Sequence, residues 1–148
     1  MKLATFTHQT RTGIGEVIGD RIYPTTWSES MQYMIRRGLM PSRRNQSFPL
    51  EAVKLQVPVR PSKIIAIGRN YAEHAKETGS DLPKAPLIFA KFPSTLIGQG
   101  EAITWNESVT QQVDWEVELA IVIGKRAKDV SEEDALKHVF GYTVANDV

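Results

Sequence analysis

The spacing of apolar and polar residues divides the chain into short segments of differing period. Residues 2–23 alternate in the manner of antiparallel strands, "LATFT", "IGEVI" and "RIY", with Gly19-Asp20 as the turn between the last two. The period then lengthens. Thr26 and Glu29 have the T-x-x-E spacing of a capping box, Trp27, Met31, Met34 and Ile35 continue at helical spacing, and Gly38 is placed to end the helix. That apolar stripe reads as core packing. "GLMPSRRNQSFPLE" is dense in turn formers and reads as a link between a small N-terminal module and the remainder of the chain. From Val53 onward the texture is strand-rich, in "VKLQVPV", "KIIAIG", "LIFAKF", "AITW", "VDWEVELAIVIG" and "GYTVANDV". Two short helices interrupt it, one around residues 70–77 and one opened by Ser131 in "SEEDALKHVF". Strands and helices do not alternate regularly, so the pattern predicts an α+β, mainly β architecture rather than a doubly wound parallel sheet. Gly13, Gly15 and Gly19 miss the GxGxxG spacing by one place, which argues against a nucleotide loop.

Composition narrows the classes of partner. With 148 residues the chain can bury a real core, and without cysteine it can form no disulfide. A net charge of +1 gives no reason to invoke nucleic acid or an anionic membrane. The paired arginines 36–37 and 43–44 read as solvated surface. The first residues lack the apolar run of a signal peptide, and no window approaches the ~20 apolar residues that span a bilayer, so a cytoplasmic protein is expected. The Asn-x-Ser triplets at Asn45 and Asn106 are then chance matches to a glycosylation pattern.

Chemistry concentrates in three places. In "VDWEVELAIVIG", Asp114, Glu116 and Glu118 occupy every second position, so a strand would present all three carboxylates on one face about 6.5–7 Å apart. A wet strand face explains such a pattern in many antiparallel sheets. Here "LAIVIG" continues apolar on both faces, which predicts an interior second half and a need for positive charge near the carboxylates. A divalent metal is one source of that charge, and oxygen-only ligands suit Mg²⁺, Mn²⁺ or Ca²⁺ rather than Zn²⁺. The second place is "IGRNYAEHAKETG", where His74 and Glu77 share a face of a short helix, the arrangement in which a carboxylate orients an imidazole as a general base. A surface ion pair is the alternative. The third is Lys91, closing the apolar strand "LIFAK" and placed either to reach solvent or to neutralise an anionic substrate. His8 and His138 read as structural.

The order of these motifs resembles the fumarylacetoacetate hydrolase family, in particular its bacterial and archaeal acylpyruvase and 2-hydroxyhepta-2,4-diene-1,7-dioate isomerase branch. The resemblance runs through "KIIAIGRNYAEHAKETG", "PLIFAKFPSTLIG" and "DWEVELAIVIGKRAKDVSEEDALKHVFGYTVANDV". It implies a small N-terminal α+β module over residues 1–57 and the first part of a catalytic mixed β-roll over residues 58–148. It also implies Glu116, Glu118 and Asp147 as metal ligands, His74 and Glu77 as a water-activating dyad, and Arg69, Tyr71 and Lys91 as substrate-binding residues; Asp114 falls outside the ligand set. The implied cofactor is Mg²⁺ or Mn²⁺, with Ca²⁺ an alternative. The implied activity is cleavage of a carbon-carbon bond in an acylpyruvate or 2,4-dioxo acid through a metal-held enolate, as in the breakdown of aromatic compounds. Isomerisation or decarboxylation of a 2-hydroxy-diene-dioate on the same site is the alternative within the family. A non-catalytic β-rich fragment that needs a partner chain is the alternative outside it. The resemblance further implies a homodimer, a small 2-oxo acid as the bound partner, and more chain after Val148.

Overall fold

The computed structural model describes residues 1–72, 79 and 83–148; the predicted His74–Glu77 dyad lies outside them. The structure is mainly β. Five strands, β1 (Leu3–His8), β2 (Arg11–Ile18), β3 (Arg21–Pro24), β4 (Phe48–Pro49) and β5 (Lys54–Leu55), form one antiparallel sheet in the order β4-β3-β2-β1-β5. The meander results from short alternating segments joined by tight turns. Gly19 takes a φ of +59° between β2 and β3, a conformation open to glycine at no steric cost. Gly15 has a different reason to be small. A Cβ there would stand 2.4 Å from Ile22 Cγ1 and 3.0 Å from Phe6 Cε1, and Ile22 is fully buried. Gly15→Ala is therefore expected to destabilise by about 1–3 kcal/mol, as forced overpacking does; a denaturant midpoint equal to that of the native chain would show that Ile22 can yield.

Helix α1 (Met31–Arg36) starts later than the capping box predicts. Ser30 is the N-cap, its hydroxyl accepting from Tyr33 N at 3.3 Å. The physical reason lies just upstream. Thr26 N donates to Ser42 O, Arg44 N donates to Pro24 O, and the buried Thr25 hydroxyl donates to Ile14 O. Residues 24–26 are thus held extended, and the helix can begin only beyond them.

The helix closes over the sheet through its apolar stripe. Met31, Met34 and Ile35 pack with Ile14, and Leu3, Trp27, Val59, Val122 and Phe140 pack against that cluster. Among the described residues, the fully buried apolar side chains all lie from Phe6 to Val57.

Two hairpins complete the described structure. β6 (Ile64–Gly68) pairs antiparallel with β7 (Leu87–Lys91), and β8 (Glu116–Ile123) pairs antiparallel with β9 (Val139–Asp147). The "AITW" segment, predicted as a strand, forms none. Lys54 clips the adjoining loop to β5: its ammonium lies 2.8 Å from a Glu101 carboxylate oxygen. That hydrogen bond, with a second from Gly98 N, holds the Glu101 carboxyl below the usual range. After β8, Ser131 precedes the short helix α2 (Glu132–Ala135), and a 3-10 turn over Leu136–His138 leads into β9. No helix among the described residues is long and apolar enough to cross a membrane.

Candidate active site

The strand period places Glu116 and Glu118 on one face of β8, whereas Asp114, predicted to share that face, precedes the strand; the long-range pairing decides what the two glutamates face. In the register of the second hairpin, Glu116 lies opposite Asp147 and Glu118 lies opposite Ala145. Directly opposed residues on one sheet face have Cβ atoms about 4.5–5.5 Å apart. Glu116 and Asp147 are therefore immediate neighbours although 31 positions apart in sequence, and Glu118 is the next residue along the same face. Continuing down that face, Val122 reaches the cluster under α1, and Phe140 joins it from β9. The N-terminal core thus anchors one end of the carboxylate hairpin.

The other face of β8 departs from expectation. Leu119, Ile121 and Ile123 are more than half exposed, whereas the sequence pattern predicts an interior for both faces. Among the described residues only β9 pairs with β8, and none lays a second layer over this side. The carboxylate side is the better covered one at Glu118, Ala120 and Val122.

Two contacts bring the first hairpin to the second. Lys91, the last residue of β7, places its ammonium 2.6 Å from Asp147 Oδ1. The Tyr71 hydroxyl accepts a hydrogen bond from Leu119 N at 3.3 Å, next to Glu118. Both residues are among those expected to bind substrate; Lys91 contacts Asp147 directly, and Tyr71 contacts the backbone of β8 beside Glu118. Arg69 comes directly after Gly68 at the end of β6 with a φ of +52°, an uncommon backbone conformation for a residue with a side chain. Such outliers concentrate at functional sites.

Asp114 has a local role. It precedes β8, and its carboxylate accepts from Trp115 N at 2.7 Å. Sequence reasoning missed Asn146, whose side-chain oxygen accepts from Glu116 N at 3.2 Å and so fixes the start of β8 against the end of β9. Nothing in the sequence pattern marks that bond, because it depends on register.

Glu116, Glu118 and Asp147 are hard oxygen donors on one face, the ligand type that suits Mg²⁺ or Mn²⁺. A cation already sits on one of them, the Lys91 ammonium, so the donor set fits a positively charged guest in its chemistry. Among the described residues, no three metal-ligating side chains converge closely enough to hold an ion by themselves.

The model of the fumarylacetoacetate hydrolase C-terminal domain matches residues 63–148, more than half of the chain. The chain belongs to the fumarylacetoacetate hydrolase family. An oxaloacetate tautomerase of Bacillus subtilis (strain 168) is 50% identical over 105 residues, covering 68% of this chain and 35% of the relative. The fumarylacetoacetate hydrolase of Exiguobacterium antarcticum superposes with a TM-score of 0.80 at 33% identity, over 99% of this chain and 55% of that one. The maleylpyruvate hydrolase of Sphingobium sp. SYK-6, solved with manganese(II) and pyruvate, superposes with a TM-score of 0.75 at 31% identity, over 99% of this chain and 58% of that one. The chain spans about a third of the length of this curated relative and over half that of the two solved structures. These fumarylacetoacetate hydrolase family members are enzymes, named as hydrolases and a tautomerase. The likeness to the two solved structures covers both the N-terminal sheet and the two hairpins, in line with the mainly β fold that the sequence pattern predicts.

Proposed function

We propose that the carboxylate face of β8 and β9 is the core of a divalent-metal site at which a 2-oxo acid is bound and converted through its enolate. The observation that carries this reading is the register that sets Glu116 against Asp147, with Glu118 beside them, in a chain of this family. Glu116, Glu118 and Asp147 would hold Mg²⁺ or Mn²⁺, and the manganese in the Sphingobium hydrolase supports a divalent ion. The ion, when bound, supplies the positive charge that stabilises an enolate.

The chain's own residues supply the rest. Arg69 and Lys91 are cations at the ends of β6 and β7, suited to an anionic substrate. Tyr71, held on Leu119 N, stands beside the strand that carries Glu116 and Glu118. His74, oriented by Glu77, moves the proton. It can take one from water, which then attacks a carbonyl and cleaves a carbon-carbon bond, or from the carbon next to the carbonyl, which shifts the double bond.

These two outcomes distinguish the hydrolase reading from the isomerase reading. The greater identity to a relative named as an oxaloacetate tautomerase favours the proton shift, while the likeness to solved hydrolases supports cleavage. Both need the metal site.

Thermal melts with Mn²⁺ and Mg²⁺ test it. A ligand of the native state at 100 times its dissociation constant stabilises by about 2.7 kcal/mol. The chain is expected to show a shift of that size, and Glu116→Ala is expected to lose it. A native chain that melts identically with and without either ion would refute the metal site.

A further inference from the structure

The ion pair between Lys91 and Asp147 joins the ends of two strands from different sheets, β7 and β9. Its distance is 2.6 Å, and the two side chains are 36% and 28% exposed, so the contact is partly shielded from water. Asp147 is also the residue opposite Glu116. Like charges placed directly across a strand pair destabilise it, so this face needs positive charge whether or not a metal is present.

Resting on the metal-site reading above, we infer that Lys91 is an internal counter-ion that holds Asp147 in the metal-free protein and gives it up when the divalent cation binds. The ammonium and the metal compete for one carboxylate. A lysine is suited to this exchange, because its charge is compact and its four-carbon stem is flexible. A second contact already supports the ammonium and need not be lost with Asp147: Nζ lies 5.8 Å from the centroid of the Phe89 ring, two residues earlier on the same strand face. Withdrawn from Asp147, the ammonium becomes available to the carboxylate of an incoming acid. Metal loading and exposure of an anion-binding group are thereby coupled, which favours binding of the metal before the acid.

The exchange has two independent readouts. Mn²⁺ titration of the native chain, Lys91→Gln and Lys91→Arg measures the competition directly. Lys91→Gln is expected to bind Mn²⁺ about tenfold more tightly, the effect of removing one near-surface charge interaction, and to melt lower than the native chain without metal. Lys91→Arg keeps the cation and is expected to stay near native affinity. In the unmutated chain, acetylation of Lys91 measured by mass spectrometry is expected to rise several-fold when Mg²⁺ is added. Native or weaker Mn²⁺ affinity in Lys91→Gln would overturn the exchange, as would a Lys91 acetylation rate indifferent to Mg²⁺. Native Mn²⁺ binding with either of those results leaves the metal site standing and removes only the exchange. Absence of Mn²⁺ binding in native chain and variants alike removes both.

Discussion

His74→Ala is expected to lower kcat by about 10²–10⁴-fold, the range over which a positioned general base contributes, with kcat/KM falling in the same proportion. Loss of both together marks an interaction made in the transition state rather than in substrate binding. His74 lies outside the described residues, so the expectation rests on its spacing from Glu77 and on the family to which the chain belongs. Tyr71 is fixed on Leu119 N, beside Glu118. Glu77→Gln should cost less than His74→Ala, because it leaves the imidazole in place and removes only its orientation. The measurement is steady-state turnover of acetylpyruvate for cleavage and of enol oxaloacetate for the proton shift. Whichever reaction is catalysed should show the loss. A variant that keeps the full rate in the catalysed reaction would assign the proton transfer elsewhere.

Met34→Ala is expected to destabilise by about 2–5 kcal/mol, the cost of removing most of a buried side chain and leaving a cavity. Met34 is fully buried at the centre of the cluster of Ile14, Met31 and Ile35. The consequence should reach the site. Val122 and Phe140 pack against the same cluster, and Val122 lies on the strand face that carries Glu116 and Glu118. Weaker anchoring there should reduce Mn²⁺ affinity as well as the urea midpoint. Met34→Leu, close in volume, should cost less than about 1.5 kcal/mol and leave Mn²⁺ affinity unchanged. If Met34→Ala unfolds earlier yet binds Mn²⁺ as the native chain does, the hairpin does not depend on the N-terminal core for its alignment.

Much of the fold was legible because local rules govern it. β1, β2 and β3 arise from short alternating segments and a glycine turn, and the apolar stripe Met31, Met34, Ile35 marks the buried side of α1. Where the local pattern misled, a distant contact had overruled a local preference. Thr26 did not cap the helix because its backbone was engaged by Ser42. The "AITW" segment has strand-forming residues but no strand partner, and a β-strand is stabilised chiefly by its neighbours. The second half of β8 is apolar on both faces, yet its outer face is open, since composition states what a side chain prefers and not which layer covers it.

The same division runs through the site. Sequence by itself determined that Glu116 and Glu118 share a face, because side chains alternate along any strand. It also determined the donor chemistry, since only oxygen ligands stand on that strand face. Only the tertiary structure decided that Asp147 faces Glu116, that Lys91 holds Asp147, and that Tyr71 reaches Leu119 N. Each of these depends on strand register or on the approach of two hairpins, which are set by packing across tens of residues rather than by the preference of any one of them.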